Sequence, residues 1–254
     1  MPDRFLAIIP ARYASTRFPG KPLAMLGAKP MIQWVYERAS AVMPRVVVAT
    51  DDPRIMKAVI LFGGQAILTS GYHRTGTERC AEALEMVSGQ PGDPFTHVMN
   101  IQGDEPLLQR EHLEQLMACM KVPETGIGTL VHPIRSESDL ADRNVVKAVI
   151  DRQNRALYFS RAPIPHERDG NTGEGATPRF AHLGLYAFRA GVLKELVKLT
   201  PTPLEKAESL EQLRWLEHGY TIRVGITEKP SAGVDTPEDL DRIRSMIGKG
   251  EQDW

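Results

Sequence analysis

Three positively charged residues follow the first apolar stretch of the chain. Arg12, Arg17 and Lys21 lie in the segment ARYASTRFPGK (11–21), among Gly, Pro and small residues and with no acidic residue between them. Like charges on one short loop repel each other, so this pattern favours a loop that holds a polyanion such as a chain of phosphates. Gly20 would let the backbone come close to that anion. The alternative is a solvated loop with scattered cations, since neither GxxxxGK[ST] nor GxGxxG is present.

Two aspartates stand where they could hold a divalent cation beside such an anion. Asp104 follows the predicted strand HVMNIQ (97–102), and Asp235 lies in GVDTPED (233–239), directly before a helix signal. Magnesium takes oxygen ligands, commonly one or two carboxylates together with phosphate oxygens. The alternatives are a turn residue before Pro106 for Asp104 and a helix-start residue favoured by the dipole for Asp235.

In the first half of the chain, these residues follow segments that alternate between strand and helix. The predicted strands are FLAIIP (5–10), RVVVAT (45–50), QAILT (65–69) and HVMNIQ (97–102). Amphipathic helices are predicted at 31–43 and 54–63, the second capped by Asp52. This alternation is typical of βαβ units around a mostly parallel sheet, where ligands bind at the carboxyl ends of the strands. The polar loops should therefore converge on one cleft.

From about residue 127 the pattern changes to strands in close succession. Four strands are predicted, at 127–134, 145–151, 155–160 and 182–189. They indicate an antiparallel β extension of the core, interrupted by a polar, Gly-rich loop at 165–179. Further helices are expected at 209–219 and after Thr236, where Thr236 would be the N-cap.

Composition excludes several functional classes. The chain has 254 residues, is 42% hydrophobic and 25% charged, and carries a formal net charge of −1. This balance gives no reason to expect nucleic acid or an anionic membrane as a partner. No apolar run reaches the ~18 residues that span a bilayer, and the first residues lack the pattern of a signal peptide. Cys80 and Cys119 form no CxxC motif and fit a reducing compartment, so we expect a cytoplasmic protein.

The segment with the three cations, IPARYASTRFPGKPL (9–23), resembles the signature loop of the 3-deoxy-D-manno-octulosonate (Kdo) cytidylyltransferases. Further motifs of that family follow in the same order: VATDD (48–52), GTERC (76–80), NIQGDEP (100–106), LYFSRAPIP (157–165), HLGLYAFR (182–189), SLEQLRWLE (209–217) and GVDTPEDL (233–240). The resemblance covers the chain apart from its termini and the segment near 168–180. Several long motifs in order are more specific than any short pattern above.

The resemblance implies an enzyme that joins CTP to Kdo, with Mg²⁺, and releases pyrophosphate, for lipopolysaccharide synthesis. Arg12, Arg17 and Lys21 would hold the phosphates of CTP, and Lys21 would offset charge on the departing pyrophosphate. Asp104 and Asp235 would hold the metal ion. Arg12, Lys21 and the two aspartates are thereby the implied catalytic residues.

The resemblance also implies two groups of substrate-binding residues. The nucleotide site would consist of Ala11, Arg12, Arg17, Lys21, Thr75, Gly76, Thr77 and Asp104. The sugar site would consist of Gln102, Arg161, His182, Tyr186, Glu208 and Gln212. From the residues alone, SGYHRTGTERC (70–80) is equally an ordinary helix start, and a histidine and a tyrosine on one strand are usually structural. Tyr72 stands where the family more often has Asp, which puts an acidic contact there in doubt.

We therefore expect an α/β fold, a three-layer sandwich around a Rossmann-like, mostly parallel mixed sheet of the nucleotidyltransferase type. Residues 1–254 would form one domain, in which a β-rich extension at 127–190 serves sugar binding and, by the resemblance, a homodimer. Two alternative functions remain open. One is the CMP-activation of another acid sugar, 8-amino-Kdo or sialic acid, and the other is a non-catalytic nucleotide-binding regulator.

Overall fold

The computed structural model describes residues 4–14, 18–88, 95–168 and 177–248. Arg17 and most of the segment 165–179 lie outside the described residues. The chain forms two compact units. The first comprises Met1–Glu114, Ala187–Val197 and Ser231–Trp254, and the second comprises Gln115–Tyr186 and Lys198–Pro230.

Strands and helices alternate along the first half of the chain, as expected. The strands are β1 (Phe5–Ala11), β2 (Met25–Leu26), β3 (Lys29–Pro30), β4 (Val46–Thr50), β5 (Ala66–Leu68), β6 (His97–Asn100), β7 (Ile127–Pro133), β8 (Lys147–Ile150), β9 (Ala156–Ser160), β10 (Phe180–Arg189) and β11 (Ile222–Ile226). The helices are a 3₁₀ turn (Lys21–Leu23), α1 (Met31–Ser40), α2 (Pro53–Leu61), α3 (Gly76–Ser88), α4 (Arg110–Met120), α5 (Glu137–Ala141), α6 (Ala190–Leu196), α7 (Pro203–Glu208), α8 (Glu211–Glu217) and α9 (Pro237–Gly248).

In the first unit, four strands are parallel and lie in the order β6, β1, β4, β5. Six of the seven residues of β1 and all five of β4 are buried. Parallel strands covered on both faces are continuous apolar runs, which is why FLAIIP and VVVAT could be recognised in the sequence. Since the strands are parallel, their carboxyl ends lie at one edge and bring the loops after β1 and β6 together.

Two helices of the first unit begin where the sequence predicts. Asp52 is the N-cap of α2 and accepts the backbone N–H of Arg54 at 2.8 Å. Thr236 precedes α9, where its hydroxyl accepts the N–H of Asp239 at 3.2 Å and its own N–H is bound by the Asp239 carboxylate at 3.1 Å. These reciprocal bonds satisfy backbone donors that the first turn leaves unpaired.

The second unit contains the predicted β-rich region. β8 is antiparallel to both β9 and β10, whereas β7 and β11 are parallel. The expected α/β class with a mostly parallel, mixed strand arrangement is confirmed. The extent of the β-rich extension, 127–190 within one domain of 1–254, stays a prediction. Among the described residues, no helix combines the length and the apolar character needed to cross a membrane.

The helix predicted at 209–219 differs from the observed structure. Ser209 has a φ of 53°, in the left-handed region, and α8 begins only at Glu211. Glu208 is instead the last residue of the preceding helix, α7. The left-handed residue ends one helix and lets the chain turn before the next, so Glu208 and Gln212 lie on two different helices.

A buried lysine stabilises the loops around β8. The Nζ atom of Lys147, whose side chain is buried, donates to the carbonyl oxygens of Asp142, Val145 and Arg161 at 2.7–2.8 Å. These three bonds use all the protons of an ammonium group. Desolvation lowers the pKa of Lys147.

Replacing Lys147 by Met should therefore destabilise the protein by about 3 kcal/mol, because three carbonyl oxygens lose a charged donor. Urea unfolding followed by circular dichroism measures the change. Lys198→Met, which removes an exposed lysine of the same unit, is the matched control and should change the midpoint little. Equal midpoints for the two variants would contradict the structural role of the Lys147 ammonium.

Candidate active site

A cavity of about 320 Å³ opens at the carboxyl ends of β1 and β6 in the first unit. The loop after β1, the start of α3, the turn after β6 and the residue before the N-cap of α9 contribute to its wall. Six of the predicted nucleotide-site residues line it: Ala11, Arg12, Lys21, Thr75, Gly76 and Asp104. Asp235 and Gln102 also line it. The topology thus brings together residues from opposite ends of the chain, such as Ala11 and Asp235.

The loop after β1 returns to the cavity through a tight turn. Gly20 has a φ of 73°, which favours glycine, and the 3₁₀ turn that follows it buries Pro22. Arg12 and Lys21, at the two ends of the loop, therefore face the same cavity, where Arg12 is exposed. Arg17, the third predicted cation, is outside the described residues.

Lys21 connects the two predicted metal ligands. Its Nζ atom lies 2.5 Å from Oδ2 of Asp104 and 3.4 Å from Oδ1 of Asp235, and it donates to the carbonyl oxygen of Val234 at 2.8 Å. The lysine side chain is only 12% exposed, and the two carboxylates are 32% and 48% exposed. One cation thus compensates two carboxylates that would otherwise repel each other.

The turn after β6 places Asp104 close to the end of β1. An added Cβ on Gly103 would lie 3.1 Å from the carbonyl oxygen of Pro10, so only glycine allows this approach without a shift of the backbone. The carbonyl oxygen of Asp104 accepts the N–H of Val234 at 2.9 Å, which joins the turn to the segment before α9. The Asp104 carboxylate therefore faces Lys21.

Asp235 is not the cap of α9. Thr236 and Asp239 cap that helix, and the Asp239 carboxylate also accepts the N–H of Asp235 at 3.1 Å. The Asp235 carboxylate is thereby directed to the cavity. The Asp235 carboxylate therefore does not serve as a helix-start residue and instead contacts Lys21.

Glu105 lies behind the cavity in a buried position. Its Oε2 atom accepts a hydrogen bond from the hydroxyl of Ser231 at 2.9 Å. Burial, and then the charge of Asp104, raise the pKa of Glu105 to about 7, against the effect of the Ser231 hydrogen bond. Two adjacent acidic residues thus have different surroundings, and it is Asp104 that reaches the cavity.

The start of α3 forms the opposite wall. The hydroxyl of Thr75 accepts the N–H of Glu78, three residues later, at 3.1 Å. The Glu78 carboxylate in turn accepts the N–H of Arg74 at 2.7 Å. Gly76 lies close to the ring of Pro10, where a Cβ would be 3.3 Å from Cγ. Thr77 is different: only 2% of it is exposed. The structure therefore brings Thr75 and Gly76, but not the Thr77 side chain, to the cavity.

Sequence reasoning did not assign His73 and Arg74 to the site, although both line the cavity together with Arg79. The Nε2 atom of His73 forms a short hydrogen bond with Glu82, which also accepts the N–H of Ser70 at 2.8 Å. Burial would raise the pKa of Glu82, but the hydrogen bonds from His73 and Ser70 lower it overall. The signal that could have revealed both residues is their position in the loop between β5 and the start of α3.

Arg79 supports this wall from inside. It is buried, donates to the hydroxyl of Thr69 at 2.5 Å, and lies 3.4 Å from the carboxylate of Asp51. Asp51 therefore pairs with a buried cation.

Two predicted sugar-site residues contact each other in the second unit. The backbone N–H of Arg161 donates to the Glu208 carboxylate at 2.9 Å, and Arg161 Nε donates to the Glu208 carbonyl oxygen at 2.8 Å. The hydroxyl of Ser160 donates to the other carboxylate oxygen at 2.6 Å. A second guanidinium nitrogen of Arg161 donates to the carbonyl oxygen of Arg143 at 3.0 Å.

His182 and Tyr186 lie on one face of β10, as predicted. Their ring centres are 5.3 Å apart, and Nε2 of His182 lies 2.9 Å from the hydroxyl of Thr129. Burial lowers the pKa of His182 to about 3, so its imidazole is neutral at pH 7. Burial, and then the charge of Glu211, raise the pKa of Tyr186 well above its usual value. Gln212, in the first turn of α8, is buried in the same unit.

Comparison with known proteins extends over nearly the whole chain. The family described as cytidylyltransferase matches residues 6–223. A 3-deoxy-manno-octulosonate cytidylyltransferase of Parabacteroides distasonis is 51% identical over 250 residues, which cover 96% of this chain and 98% of the relative. A protein of the same name from Thermodesulfovibrio yellowstonii is 49% identical and covers 93% of this chain and 95% of the relative. A solved structure of CMP:2-keto-3-deoxy-manno-octonic acid synthetase complexed with CTP is 40% identical, covers 98% of this chain and 100% of its own, and has a TM-score of 0.90.

The low pKa of His182 predicts a pH-dependent stability. The unfolded chain, where the histidine pKa is about 6.5, binds a proton below that pH, whereas the folded chain does so only near pH 3. The contribution of His182 to the free energy of unfolding is therefore fully present above pH 6.5 and is lost as the pH is lowered. The free energy of unfolding should be about 2 kcal/mol smaller at pH 5. Urea unfolding between pH 5 and 7.5 should show a clearly larger loss in the parent protein than in His182→Gln, which keeps a second histidine whose pKa burial lowers, His132.

His218→Gln removes an exposed histidine and is the control, which should keep the pH dependence of the parent. The same slope in His182→Gln as in the parent would contradict a desolvated, neutral imidazole at His182.

Proposed function

Because this chain belongs to the 3-deoxy-manno-octulosonate cytidylyltransferases, we propose that it joins CTP to Kdo, giving CMP-Kdo and pyrophosphate. The observation that carries this function is the meeting of Arg12, Lys21, Asp104 and Asp235 in one cavity at the ends of parallel strands. The two cations suit a triphosphate, and the two carboxylates suit the metal ion that accompanies it.

Arg12 and Lys21 bind the triphosphate. The planar guanidinium of Arg12 can donate two parallel hydrogen bonds to phosphate oxygens, whereas Lys21 acts as a compact charge. When the bond to the α-phosphorus breaks, negative charge grows on the pyrophosphate, and cations already in position lower the barrier. Arg17 is proposed to bind the phosphates as well, on the basis of its position in the sequence alone.

Asp104 and Asp235 fit a magnesium ion. Both carboxylates approach one point, since Lys21 Nζ lies 2.5 Å and 3.4 Å from their oxygens, and both are partly exposed. Two carboxylates together with phosphate oxygens and water make up a common magnesium shell. An ion held there by Asp104 and Asp235 would offset phosphate charge and would make a nearby hydroxyl more acidic. Within the described residues, no group of three or more His, Cys, Asp or Glu side chains could hold a metal ion.

The reaction is an in-line displacement at the α-phosphorus. The anomeric 2-hydroxyl oxygen of Kdo forms the new bond, its proton is released to water, and the bond to the β-phosphate oxygen breaks. The electron pair leaves with the pyrophosphate, on the side of Arg12 and Lys21. The protein contributes position and fixed charge, which is the main part of catalysis in phosphoryl-type transfers.

The start of α3 reads the nucleotide. The first N–H groups of a helix have no carbonyl partner four residues earlier in the helix and can donate to a base or a ribose. In α3 the N–H of Glu78 already donates to the Thr75 hydroxyl. Thr75 and Gly76 contribute through their place on the cavity wall. Thr77 keeps its assignment to the nucleotide site from the sequence alone, since its side chain is buried.

The sugar residues of the second unit hold the carboxylate and hydroxyls of Kdo. Arg161 has five N–H donors on its guanidinium, of which two donate to carbonyl oxygens of the described chain. Further donors suit a carboxylate. The neutral imidazole of His182 and the hydroxyl of Tyr186 are assigned to sugar hydroxyls, together with Glu208 and Gln212. Gln102 lines the cavity of the first unit and keeps its sequence-based assignment to the sugar.

The wider setting is part of the same proposal. CMP-Kdo formed here serves lipopolysaccharide synthesis, the protein acts in the cytoplasm, and the β-rich segment 127–190 contributes to a homodimer. Two buried thiols, Cys80 and Cys119, support a reducing compartment. Size-exclusion chromatography with light scattering tests the dimer.

Pyrophosphate release tests the activity. Purified protein is incubated with CTP and magnesium and with Kdo, 8-amino-Kdo or sialic acid in parallel. Release with Kdo supports the proposal, and release only with one of the other sugars would replace the substrate while keeping the reaction. Tight CTP binding without release for any sugar would favour a nucleotide-binding regulator.

Asp104→Ala should lower turnover by about three decades, equivalent to about 4 kcal/mol in the barrier, because the magnesium ion that would offset the phosphate charge loses a carboxylate ligand. Glu238→Ala is the control, since it removes an exposed carboxylate of α9 close in sequence to Asp235. Turnover of Asp104→Ala near that of Glu238→Ala would reject Asp104 as a metal ligand. Circular dichroism of both variants establishes that they fold.

A further inference from the structure

Tyr13 and Arg54 form a stacked pair beside the loop that follows β1. The Cζ atom of Arg54 lies 3.3 Å from the centre of the Tyr13 ring. A guanidinium is attracted to the face of an aromatic ring and packs flat against it. The Arg54 side chain is 59% exposed and lies outside the cavity lining, so the reaction described above does not use it.

Asp52 holds the guanidinium of Arg54 in a defined orientation. Arg54 Nε donates to Oδ1 of Asp52 at 2.9 Å, and Nη2 donates to Oδ2 at 2.7 Å. Oδ1 also accepts the backbone N–H of Arg54 as the N-cap of α2. Such a paired arrangement fixes the plane of the guanidinium as well as its distance. The start of a helix therefore determines where the Tyr13 ring can rest.

Tyr13 is at the neck of the cation-bearing loop. Its carbonyl oxygen accepts the N–H of Gly20 at 2.9 Å, which closes the loop. Its ring covers Gly20, where an added Cβ would lie 3.1 Å from the ring atoms Cζ and Oη. Arg12 directly precedes Tyr13, and Lys21 directly follows Gly20. Both cavity cations are thus next in sequence to the two residues that form the neck.

We propose that Arg54 is a positioning residue for nucleotide binding, which acts through Tyr13. By holding the Tyr13 ring against Gly20, it fixes the neck of the loop and so the places of Arg12 and Lys21 before the triphosphate arrives. A loop ordered in advance loses less conformational freedom on binding, so its affinity for the nucleotide is higher. This inference rests on the proposed role of Arg12 and Lys21 in holding the phosphates of CTP.

A purely structural role makes a different prediction. If the Asp52–Arg54 pair only stabilised the start of α2, its loss would lower the unfolding midpoint and leave the affinity for CTP unchanged. If Arg54 only added positive charge near the cavity, any cation of α2 would serve as well. The test therefore needs variants that separate ring, charge and planar geometry.

The variants are Arg54→Ala, Arg54→Lys, Tyr13→Leu, Tyr13→Phe and the double variant Arg54→Ala/Tyr13→Leu. Lys57→Ala, which removes another exposed cation of the same helix, is the matched control. The measurements are the KM for CTP, the KM for Kdo and kcat from pyrophosphate release, and the dissociation constant of CTP from calorimetry without Kdo. Urea unfolding of each variant reports stability separately.

We expect Arg54→Ala to raise the KM and the dissociation constant for CTP by about five- to tenfold relative to Lys57→Ala, with kcat and the KM for Kdo nearly unchanged. Tyr13→Leu should give the same defect, and Tyr13→Phe, which keeps the ring, should restore the affinity. Arg54→Lys should keep most of the defect, because it lacks the planar fork. The double variant should be no weaker than either single one, since both act through one contact.

Equal CTP affinity of Arg54→Ala and Lys57→Ala would overturn the inference, as would full recovery in Arg54→Lys or additive losses in the double variant. These outcomes differ from a failure of the proposed function. In that case the parent protein itself would release no pyrophosphate from CTP and Kdo, whatever the residue at position 54.

Discussion

The ammonium group of Lys21 connects three parts of the first unit that are far apart in the chain. Asp104 is 83 residues away in sequence and Asp235 is 214 residues away, yet both carboxylates lie within 3.4 Å of one nitrogen. In a partly buried position, the attraction between these charges is several times larger than in water. The loop after β1, the turn after β6 and the segment before α9 therefore depend on one another for their charge balance. The cavity exists because these three segments meet there.

Apolar packing below the cavity places these charges. Leu107, three residues after Asp104, and Val234, directly before Asp235, belong to one buried cluster with Leu26 and Met31. Burial of such side chains stabilises the fold in proportion to the apolar area removed from water. Because Leu107 and Val234 are held in the core, the backbone beside each aspartate is fixed, and the carboxylates are directed to the cavity. Hydrophobic contacts thus determine the geometry of a polar site.

The charges around the two substrate regions fall into two kinds. Arg79 and Lys147 are buried and engaged with internal partners, and they hold segments that carry other polar residues. Arg12 is exposed at the cavity and is available to an anion. A buried charge requires partners to offset its desolvation, so buried charges serve architecture more readily than binding. Arg161 combines both kinds. Neighbouring residues engage its backbone N–H and part of its guanidinium, and the other guanidinium donors are the ones proposed to bind the sugar carboxylate.

Much of the molecule could be predicted from the sequence, in particular where physical causes are local. Continuous apolar runs revealed β1 and β4, Asp52 and Thr236 revealed two helix starts, and the order of long motifs revealed the family. The sequence could not show that His73 lines the cavity while Thr77 is buried, because this depends on how α3 is rotated against β1. It also could not show the left-handed Ser209, which divides one predicted helix into two. By itself the sequence determined the order of the elements and the chemistry available at their ends, since periodicity and capping act over a few residues. Only the tertiary structure decided which charges meet, because ion pairs and hydrogen bonds act over a few ångströms in space, however far apart their residues are in the chain.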